Sequence, residues 1–446
     1  MKSIWSMNTE IEKREALIGG LKTDVAVIGA GMAGILIAYH LQKYGVQVVV
    51  LEADRIAGGE TKNTTAKITS QHGLIYQNLI KNLGKEQARL YAEANERAIN
   101  EYETLITKEN ICCHFMRLPA YLYSEKEQLC LEEEAKAAEI LGISSRFCTE
   151  SNLTFAIKGA VCFEHQAQFQ PLEFISALSK QLTIYEKTRV LSVKGHMIYT
   201  ERGDVFADHI VFATHYPIIN VPGLYFMRQH QERSYVLALA NAQKLDGMYY
   251  GIDKNGLSFR NFEDILLLGG SGHRTGENTM GGAYDFLRIK ANEYYNGHKE
   301  LAYWSAQDCI PHDSIPFIGR YSRIRPYWYV ATGFKKWGMT SSMISAKIIS
   351  DEITGEKNPY KELFSPQRFH YGLSHKKLVR DIGISIKGLA RGHFLRKAVK
   401  CPHMGCELHW NKDEACFECP CHGSRFNDKG ELLDDPAQNG IKKLPN

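Results

Sequence analysis

The chain has 446 residues, and at roughly 150 residues per domain this length predicts two or three domains. Apolar residues make up 44% and charged residues 23%, which is typical of a folded globular protein and excludes a disordered, collagen-like or coiled-coil chain. The formal net charge of +4 is small for this size. It argues neither for nor against nucleic acid, which we do not expect as a partner.

The cysteines and the N-terminal residues bear on location and metal content. Five of the eleven cysteines lie in the last 46 residues, a density typical of a disulfide scaffold or a metal site. The first 20 residues mix both charge signs and lack the apolar core of a signal peptide, so we expect a cytoplasmic protein. The longest apolar stretch, residues 25–41, contains three glycines and is too short to span a bilayer, so we expect no transmembrane segment. In a reducing compartment, clustered cysteines more often bind metal than form disulfides.

Residues 24–52 have the pattern of a strand, a glycine-rich turn, a helix and a second strand. The run DVAVI precedes GAGMAG, and an apolar helical stretch and VQVVVLE follow. Here Gly29, Gly31 and Gly34 predict a dinucleotide site, because they allow a tight turn, close approach to a pyrophosphate, and packing of helix on strand. Glu52 ends the second strand, where its carboxylate can accept hydrogen bonds from a ribose. The alternative is a tight turn without a ligand.

The middle of the chain alternates helical and strand-like segments. Helical spacing predicts helices at about 86–107 and 125–141, and strands are predicted in 189–214 and 257–270. Between residues 327 and 353, YWYVAT leads through a glycine-rich turn into an apolar helix. A second glycine-rich loop, GGSGHRTG, is spaced GxGxxxG, and the residues after it do not fit the start of an amphipathic helix. We therefore expect one dinucleotide site.

Charge marks a boundary near residue 400. Residues 375–400 carry eight basic residues and one acid, Asp381, whereas the last 46 residues carry five basic and eight acidic residues. The simplest interpretation is a basic linker that packs beside an acidic module. Binding to an acidic partner or to an anionic membrane is the alternative.

The motifs of residues 22–360 resemble those of the flavin-dependent amine and amino-acid oxidases, the D-amino-acid oxidase/glycine oxidase superfamily. The resemblance rests on the glycine fingerprint with Glu52, on GGETKNTTAKIT and IVFATH, and on the late pair DSIPFIG and ATGFKKWGMT. It implies an α/β (α+β) fold, with a Rossmann-like FAD-binding domain of the glutathione-reductase type and an antiparallel-sheet substrate domain. FAD is expected to be noncovalent, because Cys309 is not at the spacing of covalent attachment in sarcosine oxidases. Besides the fingerprint, the FAD contacts implied are Thr65, Ala66, Ala213, Thr214, Gly333, Gly338, Met339 and Thr340.

The last 46 residues contain a second motif. Cys401 and His403 are spaced Cys-x-His, and after fifteen intervening residues Cys419 and His422 are spaced Cys-x-x-His. Two thiolates and two imidazoles suit a [2Fe–2S] centre with histidines on one iron, although a zinc knuckle is the alternative. The boxes CPHMGC and CPCHGSRF resemble the Rieske family, which implies that these four residues are the cluster ligands.

The Rieske resemblance implies further features of this tail. Cys406 and Cys421 match a pair that forms a disulfide between the cluster loops, and Cys416 has no counterpart. Ser424 matches a serine that bonds cluster sulfur, but Phe426 replaces the tyrosine of high-potential members, which predicts a lower potential. The strands that normally precede the first box are not predicted here. The module is therefore expected to depend on the rest of the chain or on its metal for stability.

The two resemblances together imply a domain division. It comprises an N-terminal extension, 1–21; an oxidoreductase, 22–362, with FAD-binding parts at about 22–75, 150–215 and 305–362 and substrate-domain parts at about 76–149 and 216–304; a basic linker, 363–399; and a small all-β Rieske domain, 400–446.

The expected function is an FAD-dependent oxidoreductase that passes electrons between a small substrate, an amine or amino acid by resemblance, and the Rieske cluster. The alternatives are a reductase fed through the cluster by an external donor, and a non-catalytic redox sensor or electron-transfer module. An external electron donor or acceptor protein is a further expected partner. No catalytic residue can be assigned. Weak candidates for the substrate pocket, chosen because they flank the glycine-rich loop and the late flavin segment, are His273, Arg274, Gln307, Asp308 and Lys336.

Overall fold

The computed structural model describes residues 2–368, 371–394, 398–442 and 444. Within these residues there are ten α-helices: α1 (Ile4–Asn8), α2 (Met32–Lys43), α3 (Tyr76–Leu83), α4 (Lys85–Lys108), α5 (Leu129–Ile140), α6 (Pro171–Ser179), α7 (Ala283–Tyr294), α8 (Gly338–Thr354), α9 (Lys361–Phe364) and α10 (Tyr371–Phe394).

The same part of the chain contains 21 β-strands in three sheets. They are β1 (Leu21–Ile28), β2 (Val48–Leu51), β3 (Lys67–Ile68), β4 (Met116–Ser124), β5 (Ser145–Cys148), β6 (Gly159–Gln168), β7 (Thr183–Tyr185), β8 (Val190–Lys194), β9 (Met197–Thr200), β10 (Asp204–Phe212), β11 (Gln229–Ala240), β12 (Met248–Gly251), β13 (Ser258–Phe262), β14 (Ile265–Arg274), β15 (Lys299–Pro311), β16 (Phe317–Ser322), β17 (Arg325–Thr332), β18 (His409–Asn411), β19 (Cys416–Glu418), β20 (Arg425–Phe426) and β21 (Leu432–Asp434).

The first sheet has a parallel centre. Its order is β16-β17-β10-β1-β2-β7, with the pair β8 and β9 attached to β10. The strands from β17 to β7 are parallel, and β16 is antiparallel to β17. The inner strand β1 ends in a fully buried apolar run, as expected for a strand covered on both faces. The apolar helices α2 and α8 pack on each other beside this sheet.

The second sheet has nine strands and is mostly antiparallel. Its order is β15-β11-β14-β13-β12-β4-β6-β3, with β5 paired to β6. The two sheets match the predicted fold class, but two strands cross the predicted division. Strand β6, placed in the FAD-binding part, pairs with β4 in this sheet, and β15 runs unbroken along β11 through the predicted boundary near 305. Both pairings join residues far apart in the chain, and local patterns carry no information about them.

The N-terminal residues and the predicted linker are both built into the fold. Trp5 in α1 is fully buried, and its indole Nε1 donates to the carbonyl oxygen of Thr64 at 2.7 Å. The stretch 363–399, predicted as a linker without an assigned structure, contains the whole of the 24-residue helix α10. The chain then ends in the small antiparallel sheet β18-β19-β20-β21. None of the helices in the described residues combines the length and the hydropathy needed to cross a bilayer.

Candidate functional site

A cavity of about 1010 Å³ is lined by residues of both large sheets. Eight of the predicted FAD contacts lie in its wall: Gly29, Gly31, Glu52, Thr65, Ala213, Thr214, Gly338 and Met339. The other four, Gly34, Ala66, Gly333 and Thr340, do not line the cavity. Ala66 and Thr340 are buried, and Gly34 packs against the backbone of Gly29.

The fingerprint glycines allow close packing of the turn between β1 and α2. Gly29 has φ +104°, and a Cβ there would lie 2.6 Å from the carbonyl oxygen of Ala213, the residue that follows β10. A Cβ on Gly34 would overlap the carbonyl oxygen of Gly29, so only glycine lets α2 approach the turn. Gly31 precedes the first residue of α2 and faces the cavity. The helix N-terminus is therefore directed where a pyrophosphate would bind to unpaired N–H groups.

Glu52 holds the turn and faces the cavity at the same time. Its carboxylate accepts hydrogen bonds from the backbone N–H groups of Ala30 and Asp54, both at 2.8 Å. Burial raises its pKa, and the two N–H donors oppose that shift. Each carboxylate oxygen can accept a further bond, so Glu52 retains acceptor capacity for a ribose hydroxyl.

The opposite end of the cavity is formed at the start of α8. Lys336, Trp337 and Gly338 line it there, and the Trp337 ring stacks on His72 with ring centroids 4.8 Å apart. Thr340 is buried on the far side of this turn, and its hydroxyl donates to the carbonyl oxygen of Thr69 at 3.3 Å. The N-terminus of α8 thus points at the cavity, as the resemblance implies for a flavin-contacting turn.

The five weak pocket candidates separate into two groups. Asp308 and Lys336 line the cavity and form an ion pair of 3.3 Å. His273, Arg274 and Gln307 do not line it. His273 stacks on Tyr235, whereas Arg274 and Gln307 bond the C-terminal module.

Sequence reasoning assigned no role to several ionisable residues of the cavity wall, among them Glu60, Lys67 and Glu232. Glu60 and Lys67 belong to the segment GGETKNTTAKIT, so that motif could have indicated them. Glu232 lies 4.0 Å from Lys336, and only the register of β11 brings it there, which no local pattern signals. Burial raises the pKa of Glu60, an effect that nearby Asp434 increases.

The buried Lys67 is expected to make the stability of the protein depend on pH. Burial, aided by Arg260, lowers the pKa of Lys67 to about 7. Between pH 7 and pH 10 the unfolded chain therefore binds more protons at this lysine, so its contribution to the free energy of unfolding rises with pH. The rise from Lys67 amounts to at most about 1.4 kcal/mol per pH unit, and it is expected to be absent in Lys67→Met. Urea unfolding from pH 7 to 10 measures it, with the exposed Lys81→Met as control. Parallel curves for wild type and Lys67→Met would contradict it.

The four predicted cluster ligands lie together in the C-terminal module. Cys401, Cys419 and His422 are buried, and His403 is partly buried. The two imidazole rings are 5.0 Å apart, and the two thiols interact with each other. Burial lowers the pKa of His403 to about 4 and of His422 to about 3, so both rings are neutral, the form that binds metal.

Unpaired nitrogens test whether these residues fit a cluster. Nδ1 of His403 and both ring nitrogens of His422 are buried and make no hydrogen bond with any described residue. The second nitrogen of His403, Nε2, donates to the side-chain oxygen of Asn220 at 2.9 Å. A buried unpaired ring nitrogen is costly unless it binds something. The donor set fits a centre held by two thiolates and two imidazole nitrogens.

The remaining cysteines of the module do not compete as ligands. Cys406 and Cys421 form a disulfide, although their sulfurs lie within 4.8 Å of that of Cys419. Cys416 is buried with its thiol free, 3.3 Å from a guanidinium nitrogen of Arg425. The disulfide sulfurs are already used in a covalent bond, which leaves Cys401 and Cys419 as the thiols beside the two histidines.

Helix α10 covers the disulfide. A Cβ on Gly388 would lie 2.6 Å from Sγ of Cys421, and one on Gly392 would overlap the carbonyl oxygen of Gly405. The glycine pair at a spacing of four lets the helix backbone lie directly on the cluster loops. Helix α10 occupies the part of the chain before the first Rieske box, where no strands were predicted.

Gly392→Ala is expected to destabilise the protein by about 1–3 kcal/mol and to lower its iron content, because the methyl group has no space. Gly383 lies in the same helix, and a Cβ there would meet nothing within 4 Å. Gly383→Ala should therefore be neutral or stabilise by up to about 1 kcal/mol. Thermal unfolding and iron analysis of the two variants measure the difference. Equal behaviour of the pair would exclude close packing of α10 on the cluster loops.

The C-terminal module is fixed to the second sheet by hydrogen bonds to the loop that follows Cys419, here called the cluster loop. The side-chain nitrogen of Gln231 donates to the carbonyl oxygen of His422 at 2.7 Å, and that of Gln307 donates to the carbonyl oxygen of Gly423 at 3.0 Å. Arg274 donates to the carbonyl oxygen of Pro420 at 3.0 Å. Because all three donors are buried, they orient the loop that carries His422.

Buried ion pairs complete the contact. Arg233 on β11 and Arg425 on β20 both pair with Glu414, and all three side chains are largely buried. Arg274 pairs with Asp381 of α10, which also accepts hydrogen bonds from His230 at 2.9 Å and His312 at 2.8 Å. Removing one member would leave a buried charge without its partner, so the contact is strongly specified.

Comparison with known proteins agrees with this architecture. The family described as "FAD dependent oxidoreductase" (DAO) matches residues 24–352, and the "Rieske [2Fe-2S] domain" matches residues 385–445, starting within α10. A protein of Bacillus subtilis (strain 168), YhfW, named as a Rieske 2Fe-2S iron-sulfur protein, is 34% identical over 495 aligned positions that cover 99% of this chain and 97% of the relative. The chloroplastic cytochrome b6-f complex iron-sulfur subunit of Fritillaria agrestis is 51% identical over 37 residues, 8% of this chain and 16% of that subunit.

Solved structures share the fold of the larger part. Glycine oxidase from Geobacillus kaustophilus superposes with a TM-score of 0.67 at 17% identity, over 78% of this chain and 99% of that one. L-Proline dehydrogenase from P. horikoshii gives 0.68 at 16% identity, over 80% and 100%. The fold class and both predicted cofactors, FAD and a [2Fe–2S] cluster, are confirmed by these findings and the family matches.

Proposed function

Because the chain belongs to the FAD-dependent oxidoreductase (DAO) family and ends in a Rieske [2Fe–2S] domain, we propose that it oxidises an amine or amino acid in the cavity and passes the electrons to its own cluster site. When bound, flavin takes two electrons from a substrate and releases them singly, and the cluster carries one at a time. The residues of this chain supply the binding, the orientation and the contact between the two sites.

Gln231 supports the proposal because it joins the cavity wall to the cluster loop. His215 lies in the cavity wall and interacts with Gln231, whose side chain bonds the carbonyl oxygen of His422. Gln231 is 2% exposed, and a Cβ on Gly423 would lie 2.7 Å from its side-chain atoms. Such close, buried packing is typical of a permanent contact between domains and not of a transient encounter.

The C-terminal module also forms part of the cavity wall. Asp435 and Gln438 line the cavity on the side of Glu52, and Asp435 lies 3.8 Å from Arg189. Burial raises the pKa of Asp435 to about 7, and the cation Arg189 opposes that shift. One cavity wall is therefore built from both domains, which favours electron exchange within a single chain.

Charged residues at the α8 end of the cavity suit a polar substrate. Lys336 lies between Asp308 and Glu232. Burial by itself would lower the pKa of Lys336, but the two carboxylates raise it, so the ammonium group stays protonated. Lys336 and its two carboxylate partners can orient a substrate amine or carboxylate by hydrogen bonds. Oxidation of a C–H bond beside nitrogen requires such positioning.

Anaerobic stopped-flow mixing with a panel of amines and amino acids tests the proposal. Loss of flavin absorbance followed by the EPR signal of a reduced cluster is the expected result for at least one compound. In Gln231→Leu, cluster reduction should slow about tenfold or more while flavin reduction keeps its rate, because a buried bond to the cluster loop is lost. Gln243→Leu, at an exposed position, is the control. Cluster reduction at the wild-type rate in Gln231→Leu, with the cluster retained, would contradict the route.

The alternatives give different results in the same experiment. Flavin reduction only after a reduced ferredoxin is added would favour a reductase fed through the cluster. Absence of turnover with every donor would favour a redox sensor.

A further inference from the structure

The loop between β10 and β11 exposes apolar side chains directly over the cluster site. Val221 is 70% exposed, Leu224 44% and Met227 42%. From the same loop Asn220 accepts the hydrogen bond from His403, and the ring of Phe226 lies edge-on to His422 at 5.8 Å. Asn220, next to the exposed Val221, and Phe226, next to the exposed Met227, therefore reach inward to the two histidines. Contiguous exposed apolar residues of this kind mark interaction surfaces.

Helix α10 extends this surface with apolar and basic residues. It packs against the 3-10 helix Tyr225–Met227 of the loop. Val379 is 70% exposed and Ile386 61%, and the neighbouring Arg380 and Lys387 are also exposed. These four residues repeat at a spacing of seven and so lie on one side of the helix.

The exposed charge of this surface is positive. Asp381 is the only acidic residue in α10, and it points inward, where it pairs with Arg274 and accepts from His230 and His312. Although burial alone would raise the pKa of Asp381, its two histidine partners hold the pKa far below the usual range. The acid is thus committed to the interior, which leaves Arg380 and Lys387 to set the charge on the outer side of the helix.

We propose that this surface, the outer patch of Val221, Leu224, Met227, Val379 and Ile386 with Arg380 and Lys387, docks a small acidic one-electron carrier protein that exchanges electrons with the cluster site. The inference rests on the proposed function, since electrons taken from a substrate must leave the chain. Each encounter oxidises the cluster by one electron and reduces the carrier by one, with no bond formed and no proton moved. Redox encounters use small interfaces, and complementary charge accelerates their formation.

Two carriers of opposite charge test the patch. The full-length holoprotein is reduced anaerobically with dithionite and mixed in a stopped-flow instrument with acidic plastocyanin or with basic cytochrome c, both one-electron acceptors. Cluster oxidation is expected to be faster with plastocyanin and to slow as salt increases. The double variant Arg380→Glu/Lys387→Glu should lower the plastocyanin rate about tenfold or more and should not lower the cytochrome c rate. Met227→Asp should lower both rates, since it removes apolar contact area.

Matched controls separate docking from damage to the module. Lys126→Glu/Lys158→Glu reverses two exposed charges beside strands β4 and β6 of the second sheet and should leave both rates unchanged. Iron content and the EPR spectrum of every variant must equal those of wild type. Unchanged rates in the patch variants with an intact cluster would overturn the proposal. So would unchanged carrier rates together with loss of binding to phosphatidylglycerol vesicles, because the patch would then be a membrane contact. Dithionite reduces the cluster without substrate, so failure of the amine experiment would not affect this test.

Discussion

Cys401→Ser is expected to lose the iron–sulfur cluster and to keep FAD. Cys401 lies beside Cys419, His403 and His422, and a serine hydroxyl is a poor replacement for a thiolate on iron. Iron should fall from about two atoms per chain to less than about a tenth of that amount, while flavin absorbance remains. Iron and sulfide analysis, with EPR of the dithionite-reduced protein, measures the change.

The loss should also loosen the C-terminal module. Its small apolar core includes Cys401, Cys406, Cys419 and Cys421, so the cluster loops themselves form much of that core. Binding energy of a metal centre becomes folding energy when the ligands hold the core together. We therefore expect the module to unfold at a lower temperature in Cys401→Ser.

Cys416→Ser is the matched control. Cys416 is also a buried thiol of this module, but it lies beside Arg425 and not among the ligands. It should retain the cluster. Loss of iron in Cys416→Ser with retention in Cys401→Ser would reverse the ligand assignment, and zinc in place of iron in wild type would exclude the cluster.

Gly31→Val is expected to have the opposite effect, with FAD lost and the cluster retained. A Cβ on Gly31 would lie 3.3 Å from Oγ1 of Thr61, which accepts from the N–H of Met32 at 3.0 Å. The two valine methyl groups would extend into the cavity at the N-terminus of α2, where a pyrophosphate must approach the backbone. Bound FAD should fall below about a tenth of the wild-type amount, since the phosphate contacts position the whole cofactor.

Gly20→Val provides a control near the same strand. Gly20 immediately precedes β1 and is exposed, and a Cβ there would make an ordinary contact of 3.7 Å with the carbonyl oxygen of Asp204. FAD released by heat denaturation and the iron content are measured for both variants. Full FAD occupancy in Gly31→Val would mean that the turn does not contact the cofactor. Loss of the cluster as well would mean that the domains do not load independently.

These two variants concern sites that could be predicted from contiguous segments. GAGMAG with Glu52, and the boxes CPHMGC and CPCHGSRF, carry their chemistry within short stretches. A tight turn that exposes helix N–H groups, and a loop that presents one thiolate and one imidazole, depend on local spacing. Local patterns therefore predicted a dinucleotide site and a Cys/His metal site, and the family resemblances of these segments implied FAD, the [2Fe–2S] cluster and the α/β class. Local patterns also located helix α4, predicted at about 86–107 and observed from Lys85 to Lys108.

The contact between the domains could not be predicted in this way. Arg274 and Gln307 were expected near a substrate because they flank glycine-rich and flavin segments, but they bond the cluster loop. Gln231 and Glu232 carry no motif at all. Successive side chains of β11 point to opposite faces of the sheet. Gln231 therefore contacts the C-terminal module, and Glu232 lines the cavity.

The sequence by itself determined which cofactors this protein holds, because the motifs that indicate them occur in short segments with specific spacing. Only the tertiary structure decided how the two sites are joined. Gln231 and Arg274 bond the carbonyl oxygens of His422 and Pro420, and Arg274 pairs with Asp381, each across more than a hundred residues of chain. Their positions follow from strand register and from the packing of α10 on the cluster loops, and both are set by burial of distant surfaces against each other.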